Sequence, residues 1–110
     1  MKLTRERALE LHREMWSDMQ KELGDNPRDT SRYAFKEKWC KEHFPNEKIL
    51  AHCFLCEYTV DKSGETADCD RCPILWGSEK EKSRYYCSSF DTDYATDPIS
   101  VILALPERDI

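Results

Sequence analysis

The residues with the clearest chemical potential are four cysteines arranged in two pairs. Cys53 and Cys56 form one pair, Cys69 and Cys72 the other, and twelve residues separate the pairs. Two thiols three positions apart on a tight turn can bind one metal ion together, and Zn²⁺ favours tetrahedral coordination by four thiolates. The spacing therefore predicts a structural zinc site made of Cys53, Cys56, Cys69 and Cys72, with Zn²⁺ as the cofactor.

Three alternatives for these cysteines stay open at the level of sequence. They could be reduced core residues, ligands of a four-cysteine iron centre, or members of disulfides in a secreted protein. Residues 1–24 are charged throughout and contain no signal-like apolar run, so we expect a cytoplasmic protein. Paired cysteines in a reducing compartment usually bind metal, which favours zinc over disulfides. The apolar stretch at residues 99–105 is too short for a membrane span.

Two further cysteines and two histidines lie near the predicted ligands. Cys40 falls on the apolar side of a predicted helix and is interpreted as a core residue. Cys87 could replace or supplement one member of the quartet. His43 and His52 would allow a second zinc ion to be bound, but simpler roles at a helix end and on the surface account for both.

Two helices are predicted ahead of the cysteines. Residues 4–23 are amphipathic, with Thr4 as N-cap and Gly24 where a helix end favours a left-handed residue. Residues 29–44 form the second helix, which Pro45 ends, and we expect Tyr33, Cys40 and His43 on its apolar side.

The remaining elements complete an α+β prediction. Residues 57–60 and 65–67 flank a turn signal at 61–64 and predict a β-hairpin between the cysteine pairs. Asp97 and Pro98 predict the start of a helix over residues 99–105, with a buried strand as the alternative. The predicted fold is a single zinc-binding domain of residues 1–110, with a helix pair, a zinc-ribbon-like hairpin and a C-terminal helix. Zinc knuckles often have a glycine shortly after the second cysteine, but here Glu57-Tyr58 and Pro73-Ile74 follow the two pairs. A treble-clef-like site, with Cys69 and Cys72 at the start of a helical turn, therefore stays open.

The two knuckles, CFLCEY at residues 53–58 and CDRCPILW at 69–76, resemble motifs of small proteins encoded by tailed bacteriophages and prophages. Those proteins share a C-F-x-C-E-Y knuckle, a C-x-x-C-P-x-x-W knuckle and a closing helix that ends in Leu-Pro. The resemblance spans most of the chain. It implies a bacterial cytosolic setting and zinc rather than disulfides, and it implies no particular activity.

The sequence contains no catalytic signature, and a site closed by four thiolates offers no open metal position for a hydrolase. The net charge is −5, with +1 in residues 1–50 and −6 in residues 51–110. We therefore predict a non-enzymatic protein-interaction module with a protein partner. The alternative is a nucleic-acid-binding zinc-ribbon protein that uses a basic face of the second helix. That face would consist of Arg28, Arg32, Lys36, Lys38, Lys41 and Lys48.

Overall fold

A computed structural model describes residues 2–60, 67, 71–76 and 93–108 of the chain. These residues include four α-helices and a 3₁₀-helix between the second and the third of them. The α-helices are α1 (Arg5–Leu23), α2 (Asp29–His43), α3 (Phe54–Thr59) and α4 (Ile99–Leu103), and the 3₁₀-helix is Leu50–His52. Helix α1 contacts each of the other α-helices and forms the centre of the fold.

Helix α1 begins and ends where the sequence predicts. The Thr4 hydroxyl accepts a hydrogen bond from the Arg7 backbone N–H at 3.1 Å, which satisfies one of the unpaired amides of the first turn. Gly24 follows the helix at φ 83°, in the left-handed region that favours glycine. The predicted apolar stripe is buried almost entirely. Its buried members are Ala8, Leu9, Leu11, His12, Met15, Trp16 and Met19.

Helix α2 has nearly the predicted bounds, but its buried face differs from the predicted one. Tyr33 is 60% exposed and His43 is also exposed, whereas Arg32 and Lys36 are buried together with Trp39 and Cys40. The prediction placed the two cations on the surface, because charged side chains are rarely buried without partners.

Both buried cations have partners that the sequence pattern does not reveal. The Arg32 guanidinium donates to the carbonyl oxygens of Pro27 at 3.0 Å, Tyr94 at 3.1 Å and Asp97 at 2.6 Å. The Lys36 ammonium lies 5.7 Å from the centre of the Trp16 ring and 5.2 Å from that of Tyr94. Cation–π contacts and carbonyl acceptors replace the water that these groups lose on burial.

The α+β prediction is wrong, because the described residues contain no strand or sheet. The first arm of the predicted zinc-ribbon-like hairpin, residues 57–60, lies largely within α3. Phe54 and Leu55 are both buried, and Phe54 packs edge-on against Trp39 and Phe44. Consecutive buried side chains suit a helix packed in a core better than an alternating strand, so tertiary packing overrides the local strand preference. Residues 61–66, the predicted turn and most of the second arm, lie outside the described residues.

The C-terminal helix is confirmed in type and is shorter than predicted. Helix α4 ends at Leu103, and the Ile99 N–H donates to the Asp25 carbonyl at 2.8 Å. The Asp25 carboxylate accepts hydrogen bonds from both the backbone and the hydroxyl of Ser100. These bonds join α4 to the turn after α1.

The last described residues pair with the segment that contains Cys72. Ile74 and Glu107 form an isolated antiparallel bridge, and the Leu75 N–H donates to the Pro106 carbonyl at 2.9 Å. Glu107 also forms ion pairs with Arg5 at 3.4 Å and Arg13 at 3.1 Å. The C-terminal segment is thereby held between residues 72–75 and α1. Of the helices in the described part of the chain, none combines the length and apolar character needed to cross a bilayer.

Candidate metal centre

The first predicted ligand pair lies at the start of α3. Cys53 is the residue before the helix and Cys56 lies in its first turn. A hydrogen bond from the Cys56 thiol, assisted by nearby Lys36, lowers the pKa of Cys53 to about 6 against the opposing effect of burial. The backbone amides of Cys56 and Leu55 act in the same direction. Two adjacent sulfur atoms at a helix start, one of them readily ionised, fit half of a tetrahedral thiolate site.

The backbone just before Cys53 adopts an unusual conformation. Ala51 and His52 have φ values of 54° and 50°, a region that non-glycine residues seldom occupy and that costs on the order of 1 kcal/mol for each residue. The Leu50 N–H donates to the Glu57 carboxylate at 2.6 Å, and Glu57 is buried. This bond ties the 3₁₀-helix to α3 and holds the Cys53–Cys56 turn in place.

The second predicted pair is only partly described. Cys72 is buried, and its carbonyl accepts a hydrogen bond from the Arg108 guanidinium at 2.9 Å. The structure brings Cys53 and Cys56 together at the start of α3. Cys69 and Cys87 lie outside the described residues, so the four-cysteine site and the question about Cys87 stay predictions. The treble-clef-like alternative, with Cys69 and Cys72 at a helix start, also depends on Cys69 and stays a prediction.

Cys40 lies in the core, as predicted. Its side chain is 5% exposed, and burial raises the pKa of its thiol to about 11. The residue is therefore a neutral thiol at physiological pH. Its environment contrasts with that of Cys53 although both sulfur atoms are influenced by Lys36.

A second group of metal-ligating side chains, which was not predicted from the sequence, lies between α1 and α2. Glu14 and Asp18 belong to α1 and His43 to the last turn of α2, and one ligand atom from each lies within 4.8 Å of the other two. Among the described residues, no other set of three such side chains comes this close. The available signal was the spacing of Glu14 and Asp18, which places both carboxylates on one face of a helix.

Comparisons with known proteins yield no match: no family model, no curated protein and no solved structure resembles this chain significantly. The resemblance to phage-encoded proteins remains an expectation from the two knuckles. The physical arrangement of the side chains is therefore the basis for a functional argument.

Proposed function

We propose that this chain is a small, non-enzymatic structural-zinc protein that acts as a protein-interaction module. The observation that carries the proposal is the position of the Cys53–Cys56 turn beside an apolar groove. In this proposal Zn²⁺ holds the turn, the turn supports one wall of the groove, and the groove receives a segment of a partner protein. The resemblance of the knuckles to phage proteins suggests a partner in a bacterial host cytosol.

The groove lies between the end of α2, the connection to the 3₁₀-helix and α3. Its volume is about 600 Å³, and its lining includes the apolar side chains of Phe44, Ile49 and Leu50. Its rim is charged and includes the exposed side chains of Lys41 and Lys48. An apolar interior with a polar rim is the usual composition of a protein-binding site. The groove is also lined by Ala51 and His52, the two residues directly before Cys53.

The nucleic-acid alternative has less support in the described residues. Of the six cations on its proposed basic face, Arg32 and Lys36 are buried. Lys38 lies 3.8 Å from a Glu22 carboxylate oxygen, and Lys41 lies 3.1 Å from Glu37. Phosphate binding requires exposed cations that can displace counterions, and carboxylates beside two of them reduce the local positive potential.

Capture experiments with a charge-reversed groove rim test the proposal. We expect the zinc-loaded wild-type chain to capture a bacterial protein in stoichiometric amount, and the Lys41→Glu/Lys48→Glu variant to lose it. Lys21→Glu on exposed α1 is the matched control and should capture the same protein. The proposal fails if the wild type captures no partner across several lysates, or if the rim variant captures the same protein equally well. Measurable binding of single-stranded or duplex nucleic acid that weakens steeply with salt would instead support the alternative.

A further inference from the structure

We infer that Glu14, Asp18 and His43 form a second metal site, which binds an exchangeable divalent transition-metal ion through oxygen and nitrogen. The site is separate from the predicted thiolate site and does not depend on the proposed function. Its ligand atoms already lie within 4.8 Å of one another without an ion. Ligand atoms that bind one ion at about 2.0–2.2 Å are roughly 3 Å from one another. The ligand atoms of this site therefore need to approach one another by less than about 2 Å to bind an ion.

The helix pair brings the three side chains together. Glu14 and Asp18 are four residues apart on α1 and therefore project from neighbouring positions on one face. Asp18 of α1 contacts Trp39 of α2. Glu22 lies one turn after Asp18, and it contacts Lys38, which lies one residue before Trp39. This order shows that the two helices run antiparallel. His43, one turn after Trp39, is thus carried back to the level of Glu14, one turn before Asp18.

The imidazole of His43 is held by Trp39 in a way that is typical of metal-binding histidines. Its Nδ1 lies 2.9 Å from the Trp39 carbonyl oxygen, and a carbonyl only accepts, so Nδ1 donates the hydrogen. The other ring nitrogen, Nε2, then carries the lone pair. The ring also stacks on the Trp39 indole, with ring centres 3.7 Å apart and planes 15° from parallel. A donor bond from one ring nitrogen to a backbone carbonyl is the arrangement that fixes tautomer and direction in metal-binding histidines.

The same tryptophan orients the aspartate. The Trp39 indole N–H donates to Asp18 Oδ2 at 2.9 Å, which fixes the carboxylate plane. Trp39 itself is 3% exposed and packs against Phe54, so the frame that holds two of the three ligands is anchored in the core. Glu14 is exposed, so its side chain is free to move inward and bind the ion. This combination of two held ligands and one adaptable ligand lowers the ordering cost of ion binding.

The chemistry of the donor set selects the ion. Two carboxylates and one neutral imidazole carry a charge of −2, which a divalent cation neutralises. Nitrogen together with oxygen suits Mn²⁺, Co²⁺, Ni²⁺ or Zn²⁺ better than Ca²⁺, whereas the soft thiolates favour the predicted structural zinc. The site opens onto a concavity of about 390 Å³ lined in part by Asp18, Trp39 and His43. Water molecules there can complete the coordination shell, so the ion remains exchangeable.

A titration of the full chain with Ni²⁺ tests the inference. The protein is first given one equivalent of Zn²⁺ and dialysed, so that thiolate ligands are already occupied. We expect one further Ni²⁺ per chain to bind reversibly, without the absorption bands of nickel–thiolate complexes. Amide NMR signals near residues 14, 18 and 43 should broaden first. Loss of an outer-shell partner weakens metal affinity by about 10- to 100-fold, and removal of a direct ligand should cost at least as much.

Exposed ligand positions allow matched variants that keep the fold. His43→Gln and Glu14→Gln should each raise the Kd for Ni²⁺ at least about tenfold. His52→Gln and Glu10→Gln replace a histidine and a glutamate outside the group and should leave the Kd unchanged. The inference is overturned if His43→Gln and Glu14→Gln bind Ni²⁺ as tightly as the wild type. It is also overturned if the controls weaken binding equally, or if binding appears only with nickel–thiolate absorption.

Discussion

His12 should make the stability of this protein depend strongly on pH. The imidazole is 2% exposed, lies edge-on to the Trp76 ring at 6.1 Å between centres, and is close to Trp16. Burial, and after it the charges of Lys36 and Arg13, lower its pKa from 6.5 to about 3. The native state therefore keeps His12 neutral, whereas the unfolded state binds a proton below pH 6.5.

The size of the effect follows from the two pKa values. Because the native pKa is the lower one, the contribution of His12 is fully present above pH 6.5 and is lost as the pH falls toward 3. Between pH 7 and pH 5, preferential protonation of the unfolded state lowers the free energy of unfolding by about 2 kcal/mol. This loss is a large part of the 5–15 kcal/mol that is usual for a folded domain.

Urea denaturation at pH 7, 6 and 5 measures this effect when wild type and His12→Gln are compared. The variant should be less stable at pH 7, but its free energy of unfolding should fall by about 2 kcal/mol less between pH 7 and pH 5. Cys53, with its lowered pKa, contributes its own loss in this range in metal-free protein, and the comparison cancels it because both proteins retain Cys53. Equal pH dependence in wild type and His12→Gln would refute the reasoning.

Cysteine reactivity, a buried arginine and the glycine after α1 each give a further testable prediction. In metal-free protein at pH 7, iodoacetamide should label Cys53 much faster than Cys40. With pKa values of about 6 and 11, the Cys53 thiol is mostly ionised and the Cys40 thiol is neutral. Equal labelling rates by mass spectrometry would contradict this prediction. Arg32→Met should lower the free energy of unfolding by about 3 kcal/mol in urea denaturation, because it leaves three carbonyl oxygens without their charged donor. The control Arg28→Met, at an exposed arginine, should change the free energy of unfolding by less than about 0.5 kcal/mol. Gly24→Ala should cost about 1 kcal/mol through its φ of 83°, with no steric contact within 4 Å to add to it; a cost near zero would show that the turn relaxes.

The parts of the fold that depend on local chemistry could be predicted from the sequence. Helix α1 has a cap at Thr4, a terminator at Gly24 and an unbroken apolar stripe, and all three are local signals. The bounds of α2 follow equally from Pro45 and the residues before it. The buried face of α2 could not be predicted, because Arg32 is buried by carbonyl oxygens 62 and 65 residues further along the chain.

The predicted hairpin failed for a related reason. The residues around Tyr58 and Thr59 have a local preference for strands, but the packing of Phe54 and Leu55 beneath α1 decides their conformation. The Glu14–Asp18–His43 group was missed because His43 lies on a different helix, 25 residues after Asp18. It becomes visible only when α1 and α2 are placed antiparallel, and each residue alone is typical of an exposed helix surface.

Metal analysis of the purified chain and its cysteine variants tests the central claim most directly. After dialysis against a mild chelator that removes weakly held ions, the account predicts one zinc per wild-type chain. Replacement of any one predicted ligand by serine (Cys53, Cys56, Cys69 or Cys72) should abolish zinc binding and lower the urea midpoint, whereas Cys40→Ser should keep the zinc. A wild-type chain that retains no zinc, or a Cys56→Ser variant that keeps it, would contradict the account.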